Sequence, residues 1–203
     1  MPVTPLIHVF DLGNVLLFFD FGLFYEKLAP RSRRADVIEQ VVWEHYHSSR
    51  IARGGDFGTF YRGVADALSL DMPLDDFRLA FNDIFAANEP MIEVVRRLPR
   101  PRFLLSNTNA AHTDWWRSHF PEVLPLFDGC VLSHEVGAEK PEEAIYRQVE
   151  RLSGVSPGRH VFTDDVPEFA AAARSFGWHG IHFTGADDYL RQLAALSAGG
   201  EGP

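Results

Sequence analysis

The side chains of this sequence that could perform chemistry together are acidic, hydroxyl and amine groups, each placed after a short apolar run. They are Asp11, Ser106, Lys140, Asp164 and Asp165. A carboxylate can attack a phosphoryl group and form an aspartyl-phosphate intermediate. Further carboxylates are the hard oxygen ligands that Mg²⁺ prefers, while a hydroxyl and an ammonium group can hold phosphoryl oxygens as charge shifts in the transition state. The set therefore predicts phosphoryl transfer to an aspartate, assisted by Mg²⁺.

Each of these residues has a simpler structural explanation when it is taken alone. An aspartate after a strand is often a turn residue or a helix cap, and a lysine before a proline is often a solvated surface residue. The polar run at 106–108 could cap a following helix, and the acidic pair at 164–165 could cap another. Their occurrence in chain order, after four successive predicted strands, favours the functional interpretation.

Five short apolar runs predict the strands that would position these groups. They lie at 6–10, 102–105, 129–132, 160–162 and 180–183. Segments with helical spacing lie between them, for example at 141–149 and 167–176, and this alternation predicts an α/β fold with a doubly wound parallel sheet. Ligands of such sheets bind beyond the carboxyl ends of the strands, so we expect the polar groups to converge there.

The interval 18–88 breaks this alternation, because it contains helical spacing and no convincing strand. Helices are predicted at 23–28, 35–47, 57–70 and 74–85. About 70 residues is too long for an ordinary connection between strands, which indicates an inserted helical bundle. We therefore predict a Rossmann-like hydrolase core at 1–17 and 89–203, with a helical cap at 18–88.

Composition narrows the classes of partner. The 203 residues include 19 Lys plus Arg against 28 Asp plus Glu, a formal net charge of −9, which argues against a nucleic-acid partner. A small phosphate ester remains compatible, since one cation, one lysine and a few backbone N–H groups can reverse the potential locally. No apolar stretch is long enough for a membrane span, so we expect no membrane partner and a cytoplasmic location. The sequence leaves a monomer and a homodimer open.

Four segments resemble, in order, the motifs of the haloacid dehalogenase-like (HAD) hydrolase superfamily. They are Asp11-Leu12-Gly13-Asn14-Val15, Leu105-Ser106-Asn107-Thr108-Asn109, Ser133-His134-Glu135-Val136-Gly137-Ala138-Glu139-Lys140-Pro141 and Val161-Phe162-Thr163-Asp164-Asp165. The resemblance extends from about Leu6 to Phe183, and the helical insertion corresponds to the superfamily's first type of cap. Within the superfamily, the first two motifs most resemble those of bacterial α-D-glucose-1-phosphate phosphatases.

This resemblance implies a role for each polar residue. Asp11 would be the nucleophile, with Lys140 as the second catalytic residue. The residues implied to bind the phosphate of the substrate are Ser106, Asn107 and Lys140. The metal ligands implied for Mg²⁺ are Asp11, the backbone carbonyl of Gly13, Asp164 and Asp165, and the resemblance leaves open which of the last two binds directly.

Two positions depart from the pattern of phosphatases in this superfamily. Gly13 stands where they usually carry an aspartate that protonates the leaving group, and Phe169 stands where relatives commonly have asparagine. Loss of a general acid costs about 10²–10⁴-fold in rate. The sequence thus predicts slow turnover, or restriction to good leaving groups such as an anomeric phosphate.

The leading hypothesis is a Mg²⁺-dependent phosphatase acting on a small metabolite such as a sugar phosphate. One alternative is a 2-haloacid dehalogenase, which would use Asp11 against carbon without a metal. Another is a protein that binds a phosphorylated ligand with little turnover. The largely aromatic run at 18–21 lies where the predicted cap leaves the core, and we interpret it as hydrophobic packing. Phe19 or Asp20 could also contact the substrate.

Overall fold

The computed structural model describes residues 6–199, and its centre is a parallel sheet. Within this range there are seven strands: β1 (Ile7–Phe10), β2 (Leu17–Phe19), β3 (Phe85–Ala87), β4 (Arg102–Ser106), β5 (Gly129–Leu132), β6 (His160–Asp164) and β7 (His179–His182). Five of them form the main sheet in the order β5-β4-β1-β6-β7, with every neighbouring pair parallel. The predicted α/β fold class is confirmed.

The three central strands are buried along their whole length. Val9 of β1 pairs with Phe103 on one side and Phe162 on the other. Strands covered on both faces read as continuous apolar runs, which is why the sequence predicts them well. Two strands are longer than predicted, so that Ser106 and Asp164 are the last residues of β4 and β6 rather than the first residues after them.

Ten α-helices occur in the described chain, and they cover the sheet and form a separate helical region. They are α1 (Phe21–Leu28), α2 (Ile38–Ser48), α3 (Phe57–Leu68), α4 (Leu74–Asn82), α5 (Glu89–Arg97), α6 (Ala110–His119), α7 (Ser133–Val136), α8 (Glu143–Ser153), α9 (Pro167–Ser175) and α10 (Ala186–Gly199). One face of the sheet packs against α5, α6 and α10. The opposite face packs against α8 and α9, which completes a doubly wound arrangement. No helix among residues 6–199 has the length and apolar character needed to cross a membrane.

Helices α1–α4 form the helical region, which has its own apolar cluster. Phe24 lies edge-on against Phe77 and Phe81, with ring centroids 5.2 and 5.3 Å apart, and all three side chains are fully buried. Fully burying one such side chain contributes about 1.5–3 kcal/mol to folding, so this cluster can hold four short helices together.

The expectation that 18–88 contains no strand is wrong at both ends of this interval. There β2 and β3 form an antiparallel ribbon, in which Phe18 lies opposite Ala86. Strands of three residues are too short to show a periodic pattern, and their partner is distant in the sequence. The same ribbon ends α4 at Asn82 rather than at residue 85, whereas α8 begins at Glu143, two residues later than predicted.

Two contacts join the helical region to the sheet-forming part of the chain. The His112 ring of α6 stacks on Phe81 with centroids 4.1 Å apart, and its Nε2 lies 3.2 Å from the Phe81 carbonyl oxygen. On the other side, Arg53 donates hydrogen bonds to Glu139 at 2.6 Å, to the Gly137 carbonyl at 3.2 Å, and to Glu142. Residues 1–5 and 200–203 of the predicted core lie outside the described residues.

Candidate active site

The polar residues singled out from the sequence meet at the carboxyl end of the main sheet. Asp11 follows β1, Ser106 ends β4, Asp164 ends β6, and Lys140 reaches the same place from the segment between α7 and α8. All of them except Asp164 line one cavity of about 360 Å³. Asp164 lies directly beneath this cavity and is fully buried.

Lys140 is the electrostatic centre of this cluster. Its Nζ lies 2.9 Å from Asp11 Oδ1 and 2.6 Å from Asp164 Oδ2, and its side chain is 1% exposed. Burial opposes the charged form, but the two carboxylates outweigh it and raise the pKa of Lys140. The aromatic faces of Phe162 and Phe169 lie 5.4 and 5.1 Å from Nζ, which adds a favourable interaction with the cation.

The three aspartates carry more negative charge than this lysine balances. Burial raises the pKa of Asp11 to about 6, although the neighbouring Lys140 works in the opposite direction. Burial also raises the pKa values of Asp164 and Asp165, against the stabilising contacts from Lys140 and Asn14 respectively. Each of the three aspartates offers a carboxylate oxygen within 4.8 Å of the others. Such a set of hard oxygen atoms, with net negative charge, fits a divalent cation.

The two aspartates at the end of β6 differ in how their oxygens are used. Asp164 Oδ1 accepts a hydrogen bond from the Val166 backbone N–H at 2.8 Å, and Oδ2 accepts from Lys140. Asp165 Oδ2 accepts from the Asn14 side chain at 2.9 Å. Asn14 has φ of 53°, a left-handed conformation that asparagine tolerates better than most residues. Asn14 belongs to the motif that begins at Asp11, but nothing in the sequence alone predicts this contact.

Asn107 holds the backbone of Lys140 from both sides. Its Oδ1 accepts from the Lys140 N–H at 2.8 Å, and its Nδ2 donates to the Lys140 carbonyl at 3.0 Å. Both polar groups of this side chain are therefore used to position Lys140. Ser106 is different, because it is a buried residue that lines the cavity directly.

The structure also distinguishes these residues from helix caps. The cap of α6 is Asn109, whose Oδ1 accepts from the His112 N–H at 3.0 Å. Helix α9 begins after Val166 without a side-chain cap, so neither aspartate at 164–165 caps it. The simpler explanation of these polar runs as caps therefore does not account for Ser106, Asp164 or Asp165.

Aromatic side chains form much of the remaining lining of the cavity. We call this set the aromatic wall; it comprises Phe19, Phe21, Trp43, Tyr46, Phe85 and Phe169. Phe19 contacts the cavity, as the sequence analysis allowed, whereas the Asp20 side chain caps α1 by accepting from Gly22 N–H at 2.7 Å. Sequence reasoning gave no cavity-lining role to Trp43 and Phe85, since helical spacing shows an apolar face but not what that face contacts.

The lack of a side chain at Gly13 leaves room for the Phe19 ring of the aromatic wall. A Cβ atom built at Gly13 would lie 2.7 Å from Cε1 of Phe19, closer than two carbon atoms can approach. The Phe19 ring therefore occupies the space of any side chain at residue 13. Gly13 is not among the glycines with positive φ, so its backbone would accept another residue if this ring moved.

A second, more open cavity of about 760 Å³ lies on the other side of Asp165. It extends along the start of α10, past Thr184, Asp188 and Arg191. It shares only Asp165 with the smaller cavity and contains neither Asp11 nor Lys140. Of these two cavities, the smaller is the candidate active site, because it brings Asp11, Lys140 and Ser106 together.

Comparison with solved structures identifies the fold. A predicted HAD-like family hydrolase of Porphyromonas gingivalis superposes with a TM-score of 0.78 at 21% identity, covering 96% of this chain and 98% of that one. A HAD-family enzyme of Bacteroides thetaiotaomicron superposes with a TM-score of 0.77 at 22% identity, covering 86% and 91%. This chain has the HAD-like fold.

Other proteins with the HAD-like fold differ in their chemistry. The Bacteroides enzyme has also been solved in complex with magnesium and inorganic phosphate (TM-score 0.70, 21% identity, 86% and 92% covered). The L-2-haloacid dehalogenase of Xanthobacter autotrophicus superposes with a TM-score of 0.64 at 20% identity, covering 95% and 83%. In sequence, the sesquiterpene phosphatase AstK of Aspergillus oryzae is 22% identical over 190 residues, which cover 87% of this chain and 88% of that protein. No family model matches the chain.

Proposed function

We propose that this protein is a Mg²⁺-dependent phosphatase of the HAD superfamily, which hydrolyses a small phosphate monoester through an aspartyl-phosphate on Asp11. The observation that carries this proposal is the buried cluster in which Asp11 lies 2.9 Å from Lys140 and within 4.8 Å of two further carboxylates. A relative that is a phosphatase, and a structural neighbour solved with magnesium and phosphate, support it.

Each polar residue of the site has a separate role in the proposed reaction. The Asp11 carboxylate attacks phosphorus, the ester P–O bond breaks, and the leaving alcohol takes up a proton; water then releases phosphate and regenerates Asp11. Lys140 balances the negative charge that nucleophile and phosphoryl group bring together, and the Ser106 hydroxyl donates to a phosphoryl oxygen. Asn107 keeps Lys140 in place through its two backbone hydrogen bonds.

The proposed metal ligands are Asp11, Asp165 and the backbone carbonyl of Gly13. Asp164 already accepts hydrogen bonds on both oxygens, from Lys140 and from Val166, which favours Asp165 as the direct ligand. In this arrangement Asp164 positions Lys140 and adds negative charge to the site. When bound there, Mg²⁺ supplies an electrophile for a phosphoryl oxygen and neutralises part of the acidic cluster.

The two alternatives from the sequence are less well supported. A haloacid dehalogenase shares the fold, but a displacement at carbon has no use for three clustered carboxylates suited to a divalent cation. A protein that only binds a phosphorylated ligand gains nothing from a buried carboxylate facing an anion, since the repulsion weakens binding.

Other features expected from the sequence remain part of the proposal. These are the division into core and cap at 17–18 and 88–89, and the cytoplasmic location. The segment 18–88 supplies five of the six residues of the aromatic wall, so we propose that it acts as the cap over the active site. Its movement would exclude water from the cavity.

The test is phosphate release from phenyl phosphate, a small ester with a good leaving group, with Mg²⁺ and after chelation. We expect release with Mg²⁺, loss on chelation, and recovery when Mg²⁺ is restored. In parallel, halide release from 2-chloropropionate tests the dehalogenase alternative. Metal-independent halide release, or tight binding of phosphate without turnover of the ester, would contradict the proposed phosphatase.

A further inference from the structure

The side chains that line the cavity fall into two groups, which we call its polar end and its aromatic end. The polar end holds Asp11, Ser106, Lys140 and Asp165, where the phosphoryl group belongs. The aromatic end is the aromatic wall together with Val166 and Ala52, and it meets the polar end at Phe169, whose ring lies 5.1 Å from Lys140 Nζ. A phosphate ester bound to Asp11 would therefore have its alcohol part surrounded mainly by aromatic rings.

The polar groups of this second end already have partners within the protein. His112 has Nδ1 3.1 Å from the Asn109 side chain and Nε2 3.2 Å from the Phe81 carbonyl. Burial lowers the pKa of His112 to about 3, so its ring is neutral. Glu139 accepts from Arg53 at 2.6 Å, and the Tyr46 hydroxyl interacts with the Asn109 side chain.

This environment disfavours a sugar. Each buried hydroxyl without a hydrogen-bond partner costs about 1–3 kcal/mol, and a hexose carries several of them. Apolar surface, by contrast, gains about 25 cal/mol for each Å² removed from water. A cavity of about 360 Å³ lies at the small end of the range for ligand sites, which indicates a compact substrate.

Phe19 places the aromatic end of the cavity next to the group proposed to react. Its ring occupies the space of a side chain at residue 13, beside Asp11 Oδ2, which would lie 3.9 Å from a Cβ atom there. It pairs edge-on with Phe21 at 5.8 Å, and Phe21 contacts Trp43 at 5.1 Å. A continuous aromatic surface thus begins next to the nucleophile, where the bond to the leaving alcohol breaks.

We infer that the substrate is a phosphate monoester with a compact apolar leaving group, and that Phe19, Phe21 and Trp43 determine this specificity. The inference rests on the proposed phosphatase activity, and it replaces the sugar phosphate that the motifs suggest. The reaction is the same as in the proposed function: the ester P–O bond breaks, Asp11 receives the phosphoryl group, and the apolar alcohol leaves with a proton.

The experiment compares benzyl phosphate with glucose 6-phosphate on the full-length protein with Mg²⁺. Both are esters of primary alcohols, so their leaving groups have similar basicity and differ mainly in polarity. We expect kcat/KM for benzyl phosphate to exceed that for glucose 6-phosphate by about tenfold or more, the effect of one unpaired buried hydroxyl. This comparison uses the unmodified chain, so it does not depend on whether a variant folds.

A pair of tryptophan variants then tests the wall itself. Trp43→Ala should lower kcat/KM for benzyl phosphate by about tenfold and that for glucose 6-phosphate by less than about threefold. Trp115 is also half-buried but stacks on His119 away from the cavity, at 3.7 Å, and therefore provides the control Trp115→Ala. It should change neither value.

Two results would overturn the inference in distinguishable ways. Turnover of glucose 6-phosphate as fast as that of benzyl phosphate would overturn the apolar specificity and leave the phosphatase standing. Absence of phosphate release from benzyl phosphate, glucose 6-phosphate and phenyl phosphate alike would overturn the proposed activity, and this inference with it.

Discussion

The two ends of the cavity are built on different physical principles. At the polar end, Lys140, Asp11 and Asp164 lie buried and Asp165 is half-buried, and buried charges cost free energy unless they are paired. At the aromatic end, rings contributed mostly by the segment 18–88 are held by apolar contacts that favour folding. The polar end is thus organised for reaction at the expense of stability, and the aromatic end gains stability while it selects the substrate.

The two ends also differ in how the chain builds them. The polar residues come from three strand ends and one loop that are far apart in sequence, and each is fixed by the sheet register or by buried hydrogen bonds. The aromatic wall comes largely from one stretch, 19–46. Changes at the polar end should therefore abolish chemistry, whereas changes in the wall should alter which ester is accepted.

At the polar end, the largest effect on activity is expected when the proposed nucleophile is removed. Asp11→Asn should reduce phosphate release by about 10³-fold or more, since an amide cannot form the aspartyl-phosphate. The fold should persist, because the substitution removes one of three crowded negative charges. Steady-state kinetics on phenyl phosphate and circular dichroism measure the two effects. A variant that retains most of its activity would show that Asp11 is not the nucleophile.

Removing the positive charge should cost stability as well as activity. Lys140→Met leaves Asp11 and Asp164 buried without their cation, and breaking a buried ion pair on one side costs about 3–5 kcal/mol. The matched control is Lys27→Met, which removes a surface pair with Asp83 and should leave the free energy of unfolding nearly unchanged. Urea unfolding measures both. Equal losses in the two variants would mean that the buried cluster is not electrostatically coupled.

A substitution at residue 13 would place a side chain where the polar and aromatic ends of the cavity meet. Gly13→Asp alone should be hindered by the Phe19 ring, which lies 2.7 Å from the position of its Cβ. With Phe19→Ala in the same chain, the added acid can protonate the leaving alkoxide and should raise kcat on alkyl phosphates by about 10²-fold relative to Phe19→Ala alone. Phenyl phosphate, a better leaving group, should gain less.

The control for this prediction is Gly13→Asn with Phe19→Ala, which has the same shape without the acid. It should show no gain on alkyl phosphates. An equal increase in both double variants would mean that added space, and not proton transfer, limits the reaction.

A smaller effect is expected at His112, where the helical region joins the sheet-covering helices. Burial lowers the pKa of His112 to about 3, below its ordinary value of 6.5, so the unfolded chain binds a proton that the folded one excludes. Stability should therefore fall as the pH drops below about 6.5, by about 2 kcal/mol at pH 5 from this residue alone.

Urea unfolding of wild type and His112→Gln at pH 7 and pH 5 measures this contribution. The variant should lose less stability over that interval. His119→Gln, on the same helix but exposed, is the matched control and should keep the wild-type pH dependence. An unchanged pH dependence in His112→Gln would contradict the linkage.

The smallest expected effect lies at Arg53, which connects the helical region to the loop that carries Lys140. Its side chain and both acidic partners are partly exposed, so solvent screens these pairs. Arg53→Ala should raise KM by about threefold and leave kcat almost unchanged, because Asn107 and the aspartates still hold Lys140. Arg62→Ala, in an exposed pair with Asp56, serves as the control. A large loss of kcat in Arg53→Ala would show that Arg53 positions the catalytic lysine.

Much of the polar end could be predicted from the sequence, because each of its strand-end residues is marked by the residues next to it in the chain. Strands buried on both faces are apolar throughout, and the polar residue that ends such a run stands out, as Asp11 and Ser106 do. Parallel topology then brings these ends to one edge without any knowledge of side-chain packing. The hydrogen bonds from Asn107 to Lys140 could not be predicted, since they join two loops through geometry alone.

The amino-acid sequence by itself determined the α/β fold and the approximate positions of the five main-sheet strands, and it indicated the candidate reactive residues. Only the tertiary structure decided what the substrate would contact, because helices in an insertion show an apolar face without showing which part of it meets the cavity. It also decided that Phe19 occupies the space beside Gly13. The physical reason is that reactive groups follow from residue type and strand order, whereas the shape and polarity of a cavity depend on long-range packing between the insertion and the sheet.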